Sequence, residues 1–390
     1  MTQQLIGAIE AGGTKFVVAL AQQDGTILAR TRIPTETPAT CFPAVARFFE
    51  QAVAAHGPIA AFGVASFGPI DIDPGSADYG RFTTTPKPGW AGARFHDVLG
   101  AFGAPIVVDT DVNGAALGEW QAGAGQGCRT LAYTTVGTGV GTGVLRDGRS
   151  LMGFSHFESG HIPVPHDRQI DPYPGFCPFH HDCLEGLAAG PAIKARWGQS
   201  LSELASPAEE IALIAGYVAQ LAVSLVLLHM PDRLIFGGGV MKTPGLIPAL
   251  RRATEARLAG YIKAPQLDPG LERYIVGPGL GDDAGITGAI ALGRQALGFK
   301  PFFQPTVQHD HRGAAGQLGD FAQAPGHGHA HAQPNGLAEG FFGRKARGQV
   351  AHAALRPARA AGAPGGQLRF AQDLVRKALA MTVQRRLDAP

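Results

Sequence analysis

Apolar residues recur in two alternating rhythms over the first three-quarters of the chain: short unbroken runs and helical repeats. Runs at 5–9, 16–20 and 26–33 read as strands, with a polar turn at 10–15 and another at Asp24-Gly25. Residues 43–55 place Val45, Phe48, Phe49 and Val53 at helical spacing. Strand 59–65, helix 94–102, strand 106–109 and helix 114–121 follow, an order typical of layered α/β proteins. A second round opens with strands 131–136 and 143–145 around a Gly/Thr turn. It continues with an apolar helix over 209–230, strand 233–236, helix 245–258, strand 274–276 and a last helix over 284–297. Each round begins strand, Gly/Thr turn, strand. This predicts an α/β fold of two related lobes around a cleft: 1–115, with the final helix 284–298 packing on it, and 116–283.

Three stretches break the rhythm. Residues 155–186 are poor in regular pattern and rich in His, Pro and Cys. Residues 211–230 carry no formal charge and are long enough to span a bilayer. Gln220, Ser224 and His229 within that stretch, and the charged pairs at 209–210 and 232–233 beside it, predict a helix buried in a lobe, so no membrane partner is expected. Beyond residue 298 the chain turns Ala/Gly/His-rich and basic, with 12 Lys+Arg against 5 Asp+Glu over 299–390, and reads as a disordered tail. In it, His327-Gly-His-Ala-His331 reads as compositional bias, and 370–387 could form a basic amphipathic helix. Residues 1–298 carry 21 against 26, the balance of a mildly acidic enzyme. No signal segment opens the chain, so a cytoplasmic location is the expectation. The 55 glycines cluster in short motifs beside apolar runs without a G-X-Y period, which excludes a collagen and points to tight turns near a ligand. Four cysteines are too few and too unevenly spaced for a disulfide scaffold.

Five motifs can carry chemistry. Glu10-Ala-Gly-Gly-Thr-Lys15 is a hairpin whose Gly12 and Gly13 let backbone N–H groups approach an anion, with Thr14 and Lys15 adding hydroxyl and charge. An ordinary glycine hairpin would look the same in isolation. Gly137-Thr138-Gly139, within a run that ends at Gly143, sits at the equivalent turn of the second round; it lies between strands, which disfavours a dinucleotide fingerprint. Asp109-Thr-Asp111-Val-Asn113 falls at a strand end, where a carboxylate can accept a hydroxyl proton and Asp111 is also suited to cap the helix. His161, Cys177, His180 and Cys183 offer a Cys2His2 set for structural zinc, with His181 able to replace His180. Ile235-Phe-Gly237-Gly238-Gly239 runs a strand into glycines, a place for a flat or phosphorylated ligand.

Taken together, these residues resemble the ROK family of bacterial sugar kinases, within the actin/hexokinase/Hsp70-like fold. The motifs EAGGTK, DTDVNGAALGE (109–119), VGTGVGTG, ESGH and FGGG carry the likeness over about 5–297. Glu10, the segment from Thr85 to Trp90, the Cys177–Cys183 loop and the segment from Gly186 to Pro191 are similar to the fructokinase branch. The resemblance implies phosphoryl transfer from ATP to the 6-hydroxyl of a hexose, with Asp111 as the general base. Gly12, Gly13, Thr14, Lys15, Gly137, Thr138 and Gly139 would hold the phosphates. Gly190, Pro191, Gly238 and Gly239 would lie along the nucleotide, and Glu158 and His161 would face the sugar. It further implies Mg2+ with the ATP, structural Zn2+ in the loop and a homodimer. A kinase for glucose, mannose or an N-acetylhexosamine is the nearest alternative. A sugar-sensing regulator is another, but the hairpin begins at residue 10 and leaves no space for a preceding helix-turn-helix, so nucleic acid is not an expected partner.

Overall fold

The computed structural model describes residues 4–298 apart from Pro86 and Pro269; the readings made for 299–390 lie outside the described residues. The first sheet contains β1 (Leu5–Ala11), β2 (Lys15–Gln22), β3 (Ile27–Pro34), β4 (Ile59–Ser66) and β5 (Ile106–Thr110), in the order β3-β2-β1-β4-β5. β1, β2 and β3 form an antiparallel meander, whereas β4 and β5 run parallel to β1. Helix α1 (Pro38–His56) covers one face. It starts five residues before its apolar spacing does, because Thr37 and Thr40 form a capping box and Pro38 fits the first turn. The predicted helix at 94–102 shortens to α2 (His96–Leu99) and one tighter turn.

Helix α3 (Asp111–Ala122) carries the chain to the second sheet, β6 (Thr130–Val136), β7 (Val140–Arg146), β8 (Arg149–Ser150), β9 (Arg233–Gly237) and β10 (Ile275–Val276), ordered β10-β9-β6-β7-β8. Between β8 and β9 come α4 (Leu184–Ala188), α5 (Gly190–Trp197) and α6 (Ala208–His229); α7 (Leu246–Leu258) follows β9 and α8 (Ala284–Ala296) closes the described chain. α4 and α5 were not apparent from spacing. One is a single turn, and the other starts with Gly190-Pro191, a pair that reads as a turn although Pro fits a helix start. α6 is the one described helix long and apolar enough to cross a membrane. Nine of its residues, among them Ile214, Val218, Leu221 and Leu225, are buried in the protein.

Three cores follow from this layering. α1 and the 70–102 segment pack Phe49, Phe82, Trp90 and Phe95 on one face of the first sheet. α6 and α7 cover the outer face of the second sheet. Between the two sheets lie α3 and α8. Strand β1 shows why its apolar run is unbroken: Leu5, Ile9 and Ala11 face the α1 core, whereas Ile6 and Ala8 face the α3/α8 core. Glu10 shares the alternation of Ile6 and Ala8 and so points towards α8. α3 and α8 touch through backbone: a side chain at Gly118 or Gly288 would collide with the opposite helix.

Candidate active site

β5 runs directly into α3, so Asp109, Thr110 and Asp111 lie where strand becomes helix, the end of an open sheet that favours ligands. Thr110 takes the cap: its backbone is extended and its Oγ1 accepts the Asn113 N–H at 3.2 Å. This corrects the reading of Asp111 as a suitable cap. The helix begins at Asp111 itself, three residues earlier than its spacing suggests. Asp109 is fully engaged instead, accepting from Thr110 N at 2.7 Å, Asn113 Nδ2 at 2.6 Å and Ser150 Oγ at 2.7 Å. Burial raises its pKa, opposed by the hydrogen bonds from Asn113 and Ser150.

Asp111 has one donor, the Val112 N–H at 2.8 Å from Oδ1. It lines a cavity of about 350 Å³ between the sheets, with Glu10, Lys15, Tyr133, Gly238 and Asp282. Burial pushes its pKa up to about 7, with Glu10 and Glu158 adding to the rise. Glu10 is likewise pushed up to about 7 by burial, although Lys15 and Arg30 pull the other way. Its Oε2 is buried without a hydrogen-bond partner. Gly285, at the start of α8, makes room for it, since a side chain there would occupy the space of the Glu10 carboxyl.

The glycine turns approach from both lobes. The first hairpin closes by Gly12 N–H to Lys15 O at 3.0 Å, while Lys87 Nζ donates to Gly13 O at 2.7 Å. Gly13 and Thr14 are exposed, and a side chain at Gly13 would meet no atom within 4 Å. In the second lobe, Gly137 N–H donates to Gly139 O at 2.9 Å, and Gly190 N–H donates to Gly137 O at 2.7 Å. Gly238 has φ +92 and lies against Val136, so glycine is required there. Segments 137–139, 190 and 238–239 thus come together. Lys15, Asp111 and Gly238 line the cavity; Gly12, Gly13, Thr14, Thr138, Gly139, Pro191, Gly239, Glu158 and His161 lie outside its lining.

The irregular loop gathers its ligand atoms. Those of His161, Cys177, His180 and Cys183 all lie within 4.8 Å of one another. Cys177 Sγ is 3.7 Å from both His161 Nδ1 and His180 Nδ1, and Cys183 Sγ is 3.6 Å from His161 Nδ1. His180, and not His181, joins this cluster. The other ring nitrogen of His161 lies 4.0 Å from Glu185 Oε1, and Glu185 Oε2 accepts the Val140 N–H at 2.9 Å. Glu185 therefore links the loop to the 137–140 turn. Sequence reasoning missed it, along with Tyr133, Lys242 and Asp282 of the cavity wall, none of which sits in a motif with its own spacing signal; Thr135 and Met241, also in the wall, flank the two glycine motifs without having been given a role.

The family model described as "ROK family" matches residues 6–296. The fructokinase of Zymomonas mobilis subsp. mobilis is 45% identical over 299 residues, covering 74% of this chain and 96% of the relative. The fructokinase of Pediococcus pentosaceus is 41% identical over 294 residues, covering 75% and 99%. Among solved structures, the ROK hexokinase from Thermus thermophilus superposes with a TM-score of 0.61 at 27% identity, covering 76% of this chain and 99% of that one.

Proposed function

The chain belongs to the ROK family, and from that premise we propose that it is a fructokinase, transferring the γ-phosphoryl group of ATP to the 6-hydroxyl of D-fructose. The observation that carries the chemistry is Asp111, a carboxyl at the meeting of both lobes whose pKa is raised to about 7. A base with a pKa near the working pH combines availability with driving force for proton transfer. Its Oδ1 is oriented by the Val112 N–H, which leaves Oδ2 for the sugar hydroxyl. The O6–H proton passes to Asp111 as the O6–P bond forms and the bond between the γ-phosphorus and the bridging oxygen breaks. ADP leaves, and Asp111 returns its proton to solvent. Glu158, His161 and Glu185 face the sugar. Gly12, Gly13, Thr14, Lys15, Gly137, Thr138 and Gly139 cradle the phosphates, and Gly190, Pro191, Gly238 and Gly239 follow the nucleotide.

Glu10, with its unpartnered buried Oε2, suits the Mg2+ that accompanies ATP and offsets charge developing on the phosphates. The loop suits Zn2+: Zn–S of about 2.3 Å and Zn–N of about 2.0–2.1 Å in a tetrahedron put S and N roughly 3.6 Å apart. The Sγ–Nδ1 separations of 3.6–3.7 Å match that edge. A closed set of four protein ligands gives zinc a structural task, fixing the loop that carries His161. We further propose a cytoplasmic homodimer, whose mass in sedimentation would be twice the 40.6 kDa of the chain; a mass equal to one chain would refute it.

The deciding experiment is ADP release with Mg-ATP against fructose, glucose, mannose and N-acetylglucosamine. Fructose is expected to give the highest kcat/KM. Another hexose giving the highest value would overturn the specificity and keep the chemistry. No turnover with any sugar, in metal-replete protein, would overturn both.

A further inference from the structure

Among the described residues, the chain passes from the first sheet to the second through α3 and returns from β10 through 277–283 into α8. Glu119, near the far end of α3, is wholly buried. Its carboxylate accepts three backbone N–H groups: Ala124 at 2.6 Å and Gly279 at 2.9 Å on Oε2, and Leu280 at 2.9 Å on Oε1. Its own carbonyl accepts Gly123 N–H at 3.0 Å and Gly125 N–H at 2.9 Å. The backbone is shaped around it: a side chain at Gly123 would overlap the Glu119 carboxyl, and one at Gly279 would come within 2.6 Å of Ala124 N. One carboxylate thus fastens the outgoing crossing to the returning one. Immediately after its two anchors on the return, Gly281, Asp282, Ala284 and Gly285 form part of the cavity wall, and Gly285 seats Glu10.

We propose that Glu119 is a positioning residue for the nucleotide: its carboxylate pins the two crossings together and so holds the 281–285 wall in register with Glu10 and Asp111. The assignment to a nucleotide rests on the kinase reading above. The sugar-facing groups are held by other contacts, His161 by the Cys/His cluster, Glu185 by the Val140 N–H and Glu158 beside His156 at 3.5 Å, whereas the Glu119 carboxylate is bonded to Ala124, Gly279 and Leu280. The pin therefore acts on the nucleotide side, while Asp111, which meets the sugar hydroxyl, is fixed at the opposite end of α3 by the Thr110 cap. A glutamine would keep the shape but offer a single acceptor oxygen, so at least one of the three N–H groups would face another donor.

The test is Glu119→Gln in the full chain, assayed with both substrates varied. KM for ATP is expected to rise about tenfold, with KM for fructose within about twofold of wild type, a split of about 1.4 kcal/mol. Both KM values within about twofold of wild type, with a lower Tm or a smaller active fraction, would reduce Glu119 to a packing residue and overturn the proposal. Equal rises in both would overturn it as well. If the glutamine variant does not fold, Glu119→Asp, which keeps both oxygens and draws them back by one methylene, should raise KM for ATP about threefold or more, and an unchanged value counts against the pin. Wild type that phosphorylates no hexose would sink the kinase reading alone. In that case the ratio of ADP Kd values for variant and wild type, from calorimetry, still decides the pin, with equal Kd values overturning it.

Discussion

For Asp111, the base of the proposed reaction, burial brings both a suitable pKa and a structural cost. Its carboxyl is pushed up to about 7, so in the proposed role of base it must first be ionised. The kcat/KM for hexose should therefore rise with pH, about tenfold per unit below 7, and level off above it. A flat profile between pH 5.5 and 8 would remove Asp111 from the role. Asp111→Asn should lower kcat by about 10²–10⁴ and leave ADP affinity nearly unchanged, as read by a coupled assay and calorimetry. The same substitution has a stability signature. A carboxyl whose folded pKa exceeds its unfolded value contributes stability below pH 4, and that contribution is lost as pH rises through 7. Asp111→Asn should thus melt higher than wild type at pH 8 and no higher at pH 4; a Tm difference independent of pH would contradict this. Glycines divide by the same reasoning. Gly13 has open space where a side chain would stand, so Gly13→Ala should leave Tm unchanged yet raise KM for ATP, because only the ligand needs that space. A lower Tm with unaltered KM would make Gly13 a structural glycine.

At the level of elements, α3 and α8 meet through Gly114, Gly118 and Gly288, and this contact brings the two sheets together. Gly118→Ala puts a methyl into Ala284 O and Gly288 N and should cost about 1–3 kcal/mol, measured by denaturant unfolding; an unchanged midpoint would mean the helices can part. The loop with the Cys/His cluster is the other element whose order is predicted to depend on a few groups. Burial pushes the Cys183 thiol up to about 11, so metal uptake near pH 7 should release protons. Cys177→Ser should lose the metal, lower Tm by about 5 °C or more and raise KM for fructose, and full metal content in that variant would refute the site. These elements differed in how clearly the sequence announced them. Strands β1, β4, β6 and β9 were legible because burial on both faces gives unbroken apolar runs, and the hairpin glycines because they sit between such runs. α4 and α5 were not, α4 because it is a single turn and α5 because it starts at Gly190-Pro191. Glu185, Asp282 and Glu119 as a clamp were hidden for a different reason: their partners lie 45, 40 and 160 positions away, and nothing in local spacing encodes such contacts.

For the whole molecule, the groups discussed span Glu10 to Gly285, and α8 is complete at Ala296. The family match ends at the same residue, and fructokinases covered to 96–99% of their own length align with only 74–75% of this chain. Every sheet, core and glycine turn that the kinase reading uses therefore lies within 1–298. α8 in particular cannot be shortened: Ile286, Ile290 and Leu292 belong to the core between the sheets, and Gly285 seats Glu10. A chain ending after Gly298 should fold with an unchanged Tm and keep kcat and both KM values within about twofold of the full chain. A chain ending before α8, at Asp283, should not fold, because it loses one of the two helices that fill the space between the sheets. If the 1–298 chain folds but binds either substrate more weakly, residues beyond 298 contribute to the site, and the boundary between catalytic and additional sequence must move towards the C-terminus.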